Sequence, residues 1–176
     1  MQLSANKLRE QLAHMKPMLT NCSLETTRRG QNALGELMRA AHHSQVRTKR
    51  HDFAHFQGAW VLPKDLRRDG VILYLHGGGY TCGGLDYALG FGSTLADESG
   101  AKVFCAAYRL APEAPFPAAV EDALESYRYL LDKGYAPKKI CLCGESAGGG
   151  LCFSLCLKLK ELRLPLPGSV IAISPW

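Results

Sequence analysis

The stretch CGESAGGG, residues 143–150, sets Ser146 between Gly144 and Gly148. It follows the apolar run KKICL and precedes LCFSLCLKLKEL, so the serine is expected at a strand-to-helix corner. Small flanking residues suit a turn so tight that side chains would clash, with a strained backbone that leaves the hydroxyl in the open. The Ala147 amide then falls in the first helical turn, where unpaired N–H groups and the helix dipole favour a developing oxyanion. The chemistry this points to is attack by a hydroxyl on an acyl group. A second set of inward-aimed amides is expected from HGGGY, residues 76–80, because its three glycines permit the necessary conformations. Gly149 and Gly150 are expected to let the helix approach the sheet closely.

A serine of this kind needs a base to take its proton and a carboxylate to orient that base, in chain order Ser…Asp/Glu…His. No histidine and no aspartate follows Ser146, and the acidic residue beyond it is Glu161, late in a helix that runs away from the corner. His14, His42, His43, His51, His55 and His76 all precede the serine, and nothing in the sequence places any of them as its base.

The elements that must hold these residues follow from hydrophobic period. Up to about His43 the chain reads as helical, with Leu8, Leu12, Met15 and Leu19 on one face, a bend or stop at Pro17, and Leu34, Leu37, Met38 and Ala41 repeating the pattern. Residues 46–62 turn β-like and suggest a hairpin. After Gly70 short apolar runs alternate with helical stretches: VILYL, KVFCAAYR, KKICLCGE and SVIAI as strands, with helices between them, one entered near Pro117 and stopped at Gly134. Strands apolar on both faces imply a parallel sheet covered by helices on both sides, an α/β fold. The run Val170 to Ile173 reads as buried on both faces, yet little sequence follows to cover it, so the chain is expected to be cut short.

Composition narrows the function classes. With 176 residues, 47% apolar and 21% charged, the chain is globular in character. No apolar run reaches the ~18 residues of a membrane span, and the charged N-terminus lacks a signal-peptide core. Seven cysteines without zinc-site spacing suggest the cytoplasm, with Cys141, Cys143, Cys152 and Cys156 as small apolar residues. The net charge of +5 comes from scattered short clusters without interleaved aromatics, which does not fit nucleic-acid binding. Nucleotide binding at the glycine loop fits poorly too: a GxGxxG motif from Gly77 would need glycine where Cys82 stands.

Three motifs, HGGG at 76–79, YRLAPE at 108–113 and GESAGG at 144–149, with SPW closing a later strand, together resemble the hormone-sensitive-lipase family of α/β-hydrolases, the bacterial family IV esterases. The resemblance covers about residues 45–176. It implies an α/β-hydrolase fold, a mostly parallel sheet flanked by helices, with a helical cap segment at 1–45, the N-terminal part of the catalytic domain at 46–176, and the final strands missing. It implies Ser146 as nucleophile and Gly77, Gly78 and Ala147 as oxyanion donors, with no cofactor and no metal. His76, Tyr108, Arg109 and Glu113 would shape loops instead of reacting, and Glu145 replaces a more usual aspartate. The implied activity is hydrolysis of short to medium acyl esters through an acyl-serine. Lacking the acid and the histidine, this chain is expected to be nearly inert unless a further segment or another chain supplies them. The alternative reading is a non-catalytic ester-binding module of the same fold.

Overall fold

The computed structural model describes residues 22–176. The helix expected earlier, with the Leu8 to Leu19 face, the Pro17 bend and His14, lies outside the described residues. Helix α1 spans Leu24–His42, and its N-cap Ser23 accepts the Thr26 amide at 3.2 Å. Glu25 in the first turn and Arg39 and His42 in the last suit the helix dipole.

Strands β1 (Val46–Asp52) and β2 (Gln57–Pro63) form the expected hairpin, with Val46 opposite Pro63 and Asp52 opposite Gln57. Then follow β3 (Val71–Leu75), α2 (Leu85–Ser99), β4 (Lys102–Ala107), α3 (Ala118–Asp132), β5 (Ile140–Glu145), α4 (Ala147–Glu161) and β6 (Ser169–Ile173). The sheet order is β1-β2-β4-β3-β5-β6. The hairpin joins β4 antiparallel, and every pairing among β3 to β6 is parallel.

Period-two alternation divides the core. Leu73, Leu75, Phe104 and Leu142 meet Tyr127 and Leu130 of α3 and Leu151 and Leu155 of α4, all fully buried. On the other face, Tyr74, Val103, Cys105 and Cys143 meet Ala88, Leu89 and Ala96 of α2. Each large apolar side chain removed from water contributes roughly 1.5–3 kcal/mol, so the covered strands between the two layers make a rigid platform. Strand β6 departs from the expected burial. It pairs with β5 alone among the described residues, and although Val170 packs on the core, Ile171 is 50% and Ile173 42% exposed.

Helix α1 lies against α2 at a crossing of glycines. A Cβ on Gly35 would come within 2.3 Å of the Asp86 carbonyl oxygen, and one on Gly90 within 2.5 Å of that of Gly35. His42 Nδ1 and Asp97 Oδ2, 2.7 Å apart, tie the end of α1 to α2. Cys143 and Cys152 are buried and Cys141 and Cys156 half-buried, with burial pushing Cys143 to about 11 and Cys152 to about 12. No described helix is long and apolar enough to cross a membrane.

Candidate active site

The register of β3 against β5 builds the site. Leu75 lies opposite Gly144, so the loops leaving the carboxyl ends of these neighbouring strands, HGGGY and GESAGG, emerge side by side. The carboxyl end of a parallel sheet is where α/β folds place ligands.

Ser146 is the N-cap of α4 with φ 52° and ψ −122°, a conformation an L-residue adopts at a cost of order 1–3 kcal/mol. Main-chain bonds hold it there: its N–H donates to Ile173 O at 2.9 Å, and its carbonyl accepts from Gly150 at 3.1 Å and Trp176 at 3.0 Å. The residue is exposed. Its flanking glycines are required by space, because a Cβ on Gly144 would sit 2.3 Å from Gly148 O and one on Gly148 only 2.0 Å from Leu75 O. The close approach of α4 to the sheet therefore falls at Gly148. Gly149 serves it as well, a Cβ there lying 3.2 Å from Gly144 O and 3.1 Å from Pro175, whereas Gly150 instead makes room for Trp176, whose carbonyl oxygen lies 2.1 Å from where its Cβ would be.

In the facing loop, Gly78 (φ 116°) and Gly79 (φ 61°) take left-handed conformations. The amides of Thr81 and Cys82 close the turn onto Gly78 O at 3.1 and 2.9 Å. Among the described residues no acceptor takes the amides of Gly78, Gly79 or Ala147. The Gly77 amide has a different partner from the one expected of it: it donates to Glu145 Oε1 at 2.6 Å. Glu145 also accepts from Tyr74 Oη at 2.7 Å and Tyr87 Oη at 3.2 Å. Burial, with the Glu145 charge nearby, pushes the Tyr87 phenol up to about 12. A carboxylate so engaged anchors the glycine loop to the strand that carries the serine. Amides left without an acceptor can stabilise an oxygen that gains negative charge.

The other motif residues brace these loops. His76 is fully buried, stacks on Tyr108 with centroids 4.2 Å apart, and has Nδ1 2.7 Å from Gly77 O. Burial pushes its imidazole down to about 4, so the ring is neutral near pH 7. The Tyr108 hydroxyl donates to His76 O at 2.5 Å. Arg109 reaches Asp122, whose side chain is 1% exposed, through Nε at 3.0 Å and Nη2 at 2.7 Å. Glu113 pairs with Arg28 at 2.8 Å. Glu161 pairs with Lys158 on the same helix at 2.9 Å. No described histidine or carboxylate hydrogen-bonds the Ser146 hydroxyl: His42 is held by Asp97, His43 Nδ1 lies 2.8 Å from Ala40 O, and His51 stacks on Tyr129.

Sequence reading missed the tie from Glu145 to Gly77, the uncommitted amide of Gly79, and Arg28. A carboxylate at the last position of the strand before the serine was a usable signal for the first. Arg28 carried none, because its partners lie 53 to 85 residues away.

Residues 72–176 match the family described as alpha/beta hydrolase fold, and the chain belongs to that family. Within it, the chain falls in the hormone-sensitive-lipase group. It is 45% identical over 123 residues to an acetyl-hydrolase of Streptomyces hygroscopicus, covering 69% of this chain and 40% of that protein. Over 121 residues it is 33% identical to hormone-sensitive lipase of Homo sapiens, covering 66% of this chain and 11% of that one. Among solved structures, a hormone-sensitive lipase from a metagenome library is similar with a TM-score of 0.82 at 35% identity, over 96% of this chain and 57% of that one. The chain thus spans well under two thirds of the length of these relatives.

Proposed function

We propose that the protein hydrolyses carboxylic esters by acyl transfer to Ser146. The observation that carries this reading is an exposed serine at a strained strand-to-helix corner, with the amide of Ala147 after it and those of Gly78 and Gly79 on the neighbouring loop given no acceptor among the described residues. The Ser146 oxygen attacks the ester carbonyl, and the carbonyl oxygen takes the negative charge while the hydroxyl proton passes to a base. The amides of Gly78, Gly79 and Ala147 receive that oxyanion, with Gly79 in place of the committed Gly77. Loss of one such donor elsewhere costs roughly 2.7–4 kcal/mol. Collapse expels the alcohol, which regains a proton from the base, and water then releases the acid from the acyl-serine. In this reading the base and its carboxylate come from a further segment or another chain, since no described histidine bonds Ser146 and the adjacent Glu145 carboxylate is engaged by Tyr74, Gly77 and Tyr87.

Short acyl groups on small alcohols or phenols are the proposed substrates. Support comes from relatives such as the acetyl-hydrolase above and an ethyl acetate hydrolase of Pseudomonas putida, 38% identical over 110 residues. Consistent with this, a recess of about 250 Å³ lined by Tyr80, Ala111, Phe116 and Val120 opens beside the glycine loop. Labelling by a fluorophosphonate, located by mass spectrometry, and turnover of an aryl acetate test the reading. Ser146→Ala is expected to abolish both, and hydrolysis surviving it would refute the assignment. Residues 1–176 alone are expected to retain only the roughly 10³ to 10⁴-fold acceleration over water that a base-free site provides. Ester retention without turnover in the intact protein would instead mark a binding module.

A further inference from the structure

Helix α1 is remote in sequence from the glycine loop and from the 108–113 loop, yet one of its side chains holds these two together. The Arg28 guanidinium donates from Nε to Thr81 O at 2.7 Å and from Nη2 to Ala111 O at 2.9 Å. It also makes a two-pronged pair with Glu113, Nη1 to Oε1 and Nη2 to Oε2, each at 2.8 Å. We propose that Arg28 is a positioning residue for the oxyanion amides, clamping the glycine loop to the 108–113 loop so that Gly78 and Gly79 keep their N–H groups aimed at the reacting oxygen. This rests on the esterase reading above.

Thr81 is part of the turn that closes on Gly78 O, so fixing its carbonyl fixes the plane of the Gly78 peptide through that turn. The two loops are already joined by Ala111 N–H to Tyr80 O at 2.8 Å, and Arg28 bridges the carbonyls on either side of that bond. Successive residues along α1 follow the same loop. Gln31 Oε1 lies 3.1 Å from where a Cβ on Gly78 would be, and Asn32 Oδ1 3.3 Å from the corresponding point on Gly84. One turn further on, Gly35 makes the crossing with α2, which fixes the height of the helix above the loop. Without this backing, glycines at φ 116° and 61° have many other conformations open to them.

Relative magnitudes decide which Arg28 contact matters. Glu113 is 63% exposed, and an ion pair open to water contributes little. The carbonyls of Thr81 and Ala111 are taken by a side chain only 27% exposed, and loop carbonyls left without partners are costly. Lysine cannot replace the clamp, since one ammonium on a flexible stem lacks the divergent fork that reaches both carbonyls and the carboxylate.

The test uses the intact protein with p-nitrophenyl butyrate, the ester soaked into the related esterase EstE5 (34% identical, TM-score 0.77, over 89% of this chain and 52% of that one). Arg28→Met and Arg28→Lys are each expected to lower kcat by about tenfold or more with KM nearly unchanged, because the misplaced amides act in the transition state. Glu113→Gln is expected to stay within about threefold of the parent. Amide hydrogen exchange at residues 78–83 should quicken in both Arg28 variants while β3 and β5 keep their protection. Wild-type exchange at 78–83 with wild-type kcat overturns the proposal, as does equal loss of protection in the sheet, which would mean general unfolding. If Ser146→Ala leaves hydrolysis intact, or no hydrolysis is seen at all, the catalytic reading fails on its own. The exchange comparison still decides whether Arg28 orders the loop.

Discussion

At Gly148 a single added methyl would meet the Leu75 carbonyl oxygen at 2.0 Å, and that carbonyl is fixed in the central strand β3. Gly148→Ala is therefore expected to destabilise by about 1–3 kcal/mol or more and to slow fluorophosphonate labelling of Ser146, read by chemical denaturation and by mass spectrometry. His76 gives the site a pH signature. Burial lowers its pKa from 6.5 to about 4, so between those values the unfolded chain binds a proton that the folded chain does not. Stability is then full above pH 6.5 and falls as pH drops toward 4, by about 3 kcal/mol from this residue at most. Carboxylates titrate in part of the same range, so the expected outcome is a difference: His76→Gln should lose less stability between pH 7 and pH 5 than the parent, measured by urea midpoints. Glu113 acts in the same direction, in a more acidic window. Its hydrogen bond to Arg28 holds its carboxyl down to about 2, so its pairing is complete above about pH 4.5 and lost only as pH falls toward 2.

Among the elements, one glycine on α1 and one on α2 have opposite expected outcomes. Nothing lies within 4 Å of a Cβ on Gly30, so Gly30→Ala should stabilise by about 0.5–1 kcal/mol through helix propensity alone. On α2, Gly90→Ala gains the same propensity but drives its methyl to 2.5 Å from the Gly35 carbonyl, so a net loss of about 1–2 kcal/mol and a lower Tm are expected. The elements themselves were legible in the sequence. The short apolar runs became β3, β4 and β5, Pro117 and Gly134 bracket α3, and the hairpin formed where apolar and aromatic residues clustered at 46–62. What could not be read was which helix residue approaches the sheet. Three successive glycines at 148–150 look alike in sequence, and only the rotation of α4 sets Gly148 against β3, Gly149 against Pro175 and β5, and Gly150 against Trp176.

Over the whole molecule, apolar surface gathers around the β6 edge. Ile171 and Ile173 on β6 and Trp176 just beyond it are each between 42% and 77% exposed. A strand edge of that composition favours self-association. Residues 1–176 are expected to associate with rising concentration, and Ile171→Lys with Ile173→Lys to shift sedimentation toward the monomer. The amino-acid sequence by itself determined the α/β class, the corner serine and the glycine-rich loop, because strand period, turn glycines and helix starts are local properties of the chain. Tertiary structure alone decided which amides stay uncommitted, that Glu145 claims Gly77, and that Arg28 reaches across 53 residues to the loop. Those outcomes depend on strand register and helix rotation, which are set by the packing of distant elements and leave no mark in the spacing of neighbours.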